Sequence, residues 1–403
     1  MEKIVIVGAG QAGFSTATRL RANGYKGHLT MIGDEADLPY QRPPLSKKYL
    51  TGEMERSRLH LRPQAFFDEN DIDIVLGTRV TRIALQSKTV HFDGESLEYD
   101  ALVLATGSTP RKLEAAQGGY LSGIHYMRTL SDIDAMEAAF KKDARLLIIG
   151  GGYIGLETAA VAASRGVKTT IVEAAPRILQ RVASDATADF FRQLHKAHGV
   201  DIRENTQLIK LTGTNHVNGA DLGDGTHLEV DFVIAGIGVL PVTSLADEAG
   251  LEIENGIKVD GLCRTSDQHI FAAGDCASFP YADGRIRLES VPNAIDQGNI
   301  IADVLLGSKD IYVAKPWFWS DQYDVKLQIS GLNSGYDHIV VRAGEKPNTQ
   351  SVWYFTQGRL IAVEAMNDPK AYMTGKRWID AGKSPRPADI ADQTYPLRDI
   401  VVQ

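Results

Sequence analysis

Six glycines in two matching turns offer the first chemistry in this 403-residue chain. Gly8, Gly10 and Gly13 form one GxGxxG spacing, and Gly150, Gly152 and Gly155 form the other. Glycine permits a tight turn and a close approach of backbone, and a helix starting there presents unpaired N–H groups to a diphosphate. One such spacing is weak evidence, because ordinary turns produce it. Each of these two follows an apolar run and is trailed after about 20 residues by an acid, the arrangement that holds a dinucleotide. Asp34 or Glu35 is the acid of the first turn and Glu173 that of the second, each placed to bond an adenosine ribose.

Glu173 also bears on cofactor choice. A carboxylate accepts hydrogen bonds from a ribose 2′-hydroxyl but repels a 2′-phosphate, whose recognition usually recruits Arg. NADH is therefore expected over NADPH, with Arg177 and Lys168 the nearby cations that would reverse the preference.

The elements that position these turns repeat one plan. Lys3–Val7 reads as a strand, 8–13 as the turn, 14–22 as a helix and 29–32 as a second strand. The second copy runs from a strand at 146–149 through Gly150, Gly151, Gly152, Tyr153, Ile154 and Gly155 into an alanine-rich helix ending at Ser164, then the strand Lys168–Val172. Residues 102–107 match 233–238, each an apolar strand ending in small residues, including Gly107 and Gly238. Farther on, 270–274 reads as a buried strand ending at Asp275, and 294–306 as a helix. Beyond Pro316 the pattern becomes short alternating runs at 326–329, 338–342, 351–355 and 360–363, separated by turn residues.

Composition narrows the partners. Lys and Arg total 43 against 51 Asp and Glu, a net charge of -8, which argues against general nucleic-acid binding and leaves only local basic patches. The start lacks a signal-peptide pattern and no segment approaches membrane-spanning length, so no membrane partner is expected and the cytoplasm is the expected compartment. Cys263 and Cys276 are the two cysteines, and no Cys/His cluster has metal-ligand spacing, so no metal is expected. A redox pair between them has no dithiol motif to support it.

The turns at 8–13 and 150–157, the run Pro43, Pro44, Leu45, Ser46 and Lys47, then Ala105-Thr106-Gly107, Arg128-Thr129-Leu130, Gly274-Asp275 and Trp317-Phe318-Trp319-Ser320 together carry a resemblance over essentially the whole chain. It resembles the NADH-dependent ferredoxin reductases of bacterial cytochrome P450 and Rieske-type oxygenase systems, the putidaredoxin-reductase-like group. The resemblance implies an α/β fold with two Rossmann-like dinucleotide-binding domains of the glutathione-reductase type and a small α+β C-terminal domain. Expected boundaries are 1–110 and 243–316 for FAD, 111–242 for NADH and 317–403 for the last domain.

The same resemblance implies FAD contacts at Ala12, Asp34, Lys47, Val80, Arg128, Asp275 and Val291, with Trp319 beside the ring. Gly8, Gly10, Gly13, Glu35, Arg42, Ala105, Thr106, Gly107 and Gly274 complete the FAD candidates. Gly150, Gly151, Gly152, Tyr153, Ile154, Gly155, Glu157, Glu173 and Gly238 are the NADH candidates. Lys47, Glu157 and Trp319 are the candidates for catalysis. An ammonium near a flavin stabilises charge on the reduced ring, and Glu157 is its expected partner; a solvated surface lysine is the alternative. Asp275 either bonds a ribityl hydroxyl or caps a following helix, and Trp317 and Trp319 either stack in a dry site or fill a core.

The implied activity passes hydride from NADH to FAD and single electrons to a [2Fe–2S] ferredoxin. Docking of an acidic partner would use Arg62 and Lys376, within sets that include Arg56, Arg58, His60, Arg377 and Arg398. Asn299 departs from the basic residue often found there in relatives, which leaves the partner's identity open. Competing readings are an NADH oxidase or quinone reductase, and an NADH-sensitive interaction flavoprotein of the apoptosis-inducing-factor type.

Overall fold

A computed structural model describes all 403 residues, and its contacts divide the chain into two units. The first comprises Met1–Gln41, Arg56–Thr109 and Val239–Pro316; the second comprises Arg42–Glu55, Pro110–Gly238 and Trp317–Gln403.

The first unit is built on a parallel five-stranded sheet. Its order is Ile270–Ala272, Ala101–Leu104, Lys3–Val7, His28–Ile32 and Asp73–Val75. Parallel strands buried on both faces read as continuous apolar runs, as in Ile4 to Val7 and Leu102 to Leu104. The helix Gln11–Ala22 covers one face and packs against the helix Val291–Leu305. A Cβ at Gly298 would lie 2.6 Å from the Ala12 carbonyl oxygen, so glycine there sets the close approach of these helices. Val291–Leu305 starts three residues before the expected 294, because the Ser290 side chain caps it and Pro292 suits its first turn.

The second unit contains a matching parallel sheet, ordered Asp201–Arg203, Lys168–Val172, Arg145–Ile149, Phe232–Ala235 and Ile124–His125. Each sheet's unit also carries a three-stranded antiparallel meander just before the strand that returns beside the first one. These are Val80–Ala84, Thr89–Phe92 and Glu95–Glu98 in the first unit, and Leu208–Gly213, Val217–Leu222 and His227–Glu229 in the second. The duplication seen in the sequence is thus a duplicated topology.

The second unit further holds the C-terminal antiparallel sheet, ordered Trp317–Gln322, Val325–Gly331, Arg359–Met366, Gln350–Thr356 and His338–Ala343. The helix Pro369–Asp380 covers it, burying Tyr372 and Trp378 against Trp353 and Val363. Four of its strands extend the runs expected from alternation; Trp317–Gln322, rich in aromatics, is the additional edge strand.

Candidate dinucleotide sites and the Lys47–Glu157 pair

The two glycine turns share one geometry. Gly8 and Gly150 have φ of +115° and +106°, where a side chain would be strained. A Cβ on Gly13 would lie 2.0 Å from the Gly8 oxygen, and one on Gly155 2.3 Å from the Gly150 oxygen, so each helix sits tightly on its own turn. Gly10 and Gly152, by contrast, face open space within 4 Å. Each is the N-cap of a twelve-residue helix that has no side-chain cap and no acid in its first turn. The free N–H groups and positive ends of the dipoles are left to an external anion, which fits a diphosphate at both places.

In the first unit the other FAD candidates gather around this turn. A Cβ at Gly33 would lie 2.6 Å from that of Ala9, placing the segment that bears Asp34 and Glu35 against the glycine turn. Asp34 pairs with Arg79 at 2.9 Å and Glu35 accepts from the Tyr40 hydroxyl at 2.5 Å. Ala105 lies against Gly8, and Thr106 donates to the Val242 oxygen at 2.7 Å. Asp275 accepts from the Ser108 hydroxyl at 2.8 Å and sits inside the short 3-10 turn Gly274–Cys276, which leads into the strand Ala277–Tyr281 rather than into a helix. Gln297 accepts the Gly274 N–H at 2.7 Å, while its fully buried Nε2 has no partner. An orphaned amide donor beside Gly274 and Asp275 fits a hydroxyl- and phosphate-bearing cofactor there. Val80 is buried and Val291 opens the helix that Ser290 caps.

Arg42, Lys47, Arg128 and Trp319, also assigned to FAD, belong to the second unit with the NADH candidates. The Arg42 Nη1 donates to the Arg128 carbonyl at 2.9 Å. Glu173 follows its strand as expected, and its carboxylate accepts N–H groups of Gly151 at 2.7 Å and Ala175 at 2.8 Å. Of the two cations that bear on nucleotide choice, Arg177 is committed to Asp185 and to the Ala183 oxygen, and Lys168 reaches Asp143 at 3.5 Å. Tyr153 packs its ring 5.2 Å from Phe318, Ile154 is exposed, and Gly238 has a φ of +102°.

Lys47 and Glu157 form a buried ion pair at 2.8 Å, their side chains 17% and 6% exposed. Lys47 sits in the irregular turn Leu45–Tyr49 with non-helical angles, and also donates to the Pro43 oxygen at 3.3 Å. Glu157 lies on the helix Tyr153–Ser164, which packs against that turn and against the strand Trp317–Gln322. It takes two further donors, Ser46 Oγ at 2.7 Å on Oε2 and Ser320 Oγ at 2.7 Å on Oε1. Trp319 projects from the other face of its strand and stacks on Trp317, ring centroids 5.5 Å apart. Ser108 and Gln297 are marked by no motif, and Ser46 and Ser320 stand in motif runs that give them no role of their own. Ser46 adjoins Lys47, Ser108 adjoins Gly107 and Ser320 adjoins Trp319, whose pleat position puts it on the opposite face of the strand from Ser320.

Both cysteines are free and buried, and burial pushes both thiols up. Neither has the exposure or the lowered pKa of a redox thiol. Of the docking candidates, Arg62 is exposed and lies over the Phe66 ring at 5.5 Å. Lys376 is instead tied to Asp380 at 2.8 Å, whereas the neighbouring Arg377 is exposed. No helix is long and apolar enough to cross a membrane.

Residues 2–298 match the pyridine nucleotide-disulphide oxidoreductase family and residues 317–401 the reductase C-terminal domain. A ferredoxin–NAD(P)+ reductase from Sphingomonas is 42% identical, the alignment covering 99% of this chain and 97% of that protein. A rubredoxin–NAD+ reductase from Pseudomonas putida is 40% identical, covering 91% and 96%. The reductase in a covalent putidaredoxin reductase–putidaredoxin complex superposes with a TM-score of 0.95 at 40% identity, covering 99% of this chain and 97% of that one. The chain therefore belongs to the pyridine nucleotide-disulphide oxidoreductase family, as one of its FAD- and NAD(P)H-dependent ferredoxin reductases.

Proposed function

We propose that the enzyme transfers reducing equivalents from NADH to a small [2Fe–2S] ferredoxin that supplies a cytochrome P450 or Rieske-type oxygenase. The observation that carries this reading is the pair of open, uncapped helix starts at Gly10 and Gly152, one for each dinucleotide. Bound FAD supplies the chemistry that nicotinamide and iron–sulfur clusters lack, accepting two electrons as hydride and releasing them singly.

The chain's own residues bind and orient. Gly8 to Gly13 and the 33–35 segment hold the adenosine diphosphate part of FAD, and Asp275 and Gln297 its ribityl and phosphate groups. Gly150 to Gly155 and Glu173 hold NADH, and the commitments of Arg177 and Lys168 elsewhere favour it over NADPH. Lys47, held in place by Glu157, offsets negative charge on the acceptor, and Trp319 contributes a flat apolar wall that excludes water. With both thiols buried, electrons leave directly to a partner rather than through a disulfide.

Arg62 and Lys376 are the docking cations, and the more exposed Arg377 beside Lys376 is the stronger of the two on that helix. The unbridged cysteines fit a reducing compartment, and we place the enzyme in the cytoplasm. A rubredoxin is the second partner class, favoured by the relative of that name. Stopped-flow reduction by NADH and by NADPH, followed by mixing with ferredoxins, rubredoxin, quinone and oxygen, tests the reading. Fast reduction by NADH with onward transfer to a ferredoxin supports it; equal rates with both nucleotides, or rapid transfer to oxygen or quinone alone, contradicts it.

A further inference from the structure

Glu157 terminates a chain of hydrogen bonds that reaches well beyond the ion pair. Along the strand Trp317–Gln322 the pleat puts Ser320 and Gln322 on one face. Ser320 Oγ lies 2.7 Å from Glu157 Oε1, and Gln322 Nε2 3.2 Å from Ser320 Oγ. Gln322 Oε1 lies 2.8 Å from His195 Nε2 on the helix Asp185–Ala197, and His195 Nδ1 3.1 Å from the Tyr323 hydroxyl. Ser320, Gln322 and His195 are fully buried, and His198 stacks on Tyr323 at 3.7 Å.

One assignment of protons satisfies every link. Glu157, paired with Lys47, only accepts, so the single Ser320 proton is committed to it. The Ser320 oxygen must then accept from the Gln322 amide, whose own oxygen turns to His195. His195 must carry its proton on Nε2, which leaves Nδ1 to accept from Tyr323. Reversing any member would set two donors or two acceptors against each other in a buried place, at the cost of an unsatisfied group. Burial lowers the His195 pKa to about 4, which keeps the ring neutral as the chain requires.

We infer that His195 and Gln322 are positioning residues for the Lys47–Glu157 pair, locking the Ser320 hydroxyl onto Glu157 through a one-way chain of donors that begins at Tyr323. The inference rests on the reading that this pair serves hydride transfer. It assigns a role to residues that lie outside both glycine turns and that no glycine motif marks.

The test compares the holoenzyme with Lys47→Ala, Gln322→Met, Tyr323→Phe, His195→Leu, His195→Gln and a control, Ser351→Ala, which alters a buried hydroxyl bonded to Trp353. Side-chain ¹⁵N NMR, assigned by the signal lost in His195→Gln, reads the tautomer, and stopped flow reads reduction by NADH. Expected are a neutral, Nε2-protonated His195 and a maximal reduction rate about three- to tenfold lower in Gln322→Met and His195→Leu, the worth of one hydrogen bond. The apparent NADH affinity should stay unchanged, and His195→Gln, which can still donate to Gln322, should recover most of the rate. A cationic or Nδ1-protonated His195 overturns the inference, as do Gln322→Met and Tyr323→Phe rates equal to the control while Lys47→Ala is slow. If Gln322→Met fails to fold, Tyr323→Phe decides alone, by a smaller slowing or none. An unchanged rate in Lys47→Ala overturns the reading of the pair itself, and this inference with it.

Discussion

Lys47 and Glu157, 110 positions apart in the chain, meet as a buried ion pair at 2.8 Å, with Ser46 and Ser320 adding donors to the same carboxylate. Burying two charges is costly, and such a pair contributes little net stability even when well bonded. Stability alone therefore gives little reason for the pair, and the functional role proposed for it has consequences that can be measured.

Lys47→Ala and Glu157→Gln are expected to retain FAD while slowing reduction by NADH about 10- to 100-fold, the worth of a charge-assisted hydrogen bond of about 1.5–3 kcal/mol. Flavin absorbance of the purified variants and stopped-flow traces check both parts. Loss of FAD would instead place the pair in FAD binding.

Gly10→Ala should separate folding from cofactor binding. Its Cβ would meet nothing within 4 Å, so the fold should persist, but the methyl enters the space over the uncapped helix start and FAD content should fall. Gly8→Ala is the contrast, because its Cβ would lie 2.1 Å from the Ala105 oxygen at a φ of +115°; little folded protein is expected. Yield, circular dichroism and bound flavin distinguish the two.

Glu173→Gln keeps an acceptor for ribose but removes the charge that repels a 2′-phosphate. The NADPH KM should fall by about tenfold, roughly 1.4 kcal/mol, with a smaller rise in that for NADH. Steady-state kinetics with both nucleotides is the check.

Glu364 and His195 should oppose each other in stability. Burial raises the Glu364 pKa to about 7 from an ordinary 4.5, although Thr187, Tyr354 and Asn333 all bond its carboxylate. The folded state thus holds the proton more tightly, and this contribution is lost as pH rises from about 4.5 to about 7. His195, lowered to about 4 from 6.5, acts the other way, its contribution being lost as pH falls across that interval. Thermal midpoints of the holoenzyme should therefore rise more steeply with pH in Glu364→Gln, and fall with pH in His195→Gln, between pH 4.5 and 6.5.

Arg377→Glu should lower ferredoxin turnover more than Lys376→Glu, since Asp380 already neutralises Lys376. The gap should narrow as salt screens the surface, which a turnover series in sodium chloride would reveal.

The nucleotide turns were legible because backbone geometry demands glycine there, and each helix start advertises its site by lacking a cap. The twin topology was legible because a fully buried parallel strand leaves an unbroken apolar run, as at Ile4 to Val7 and Leu146 to Ile149. Gln322 and His195 were not legible, and Ser46 and Ser320 stood in motif runs without a role: each is an ordinary polar residue whose part in the chain ending at Glu157 arises only when distant segments pack together. The Lys376–Asp380 pair is the kind of contact that i,i+4 spacing on a helix makes legible.

An anaerobic titration with NADH, in the presence of excess [2Fe–2S] ferredoxin, tests electron splitting most directly. Two ferredoxins reduced for each NADH oxidised, at a rate that depends on bound FAD, is the predicted result. A protein that takes up no flavin, or that consumes NADH without reducing ferredoxin, would contradict it.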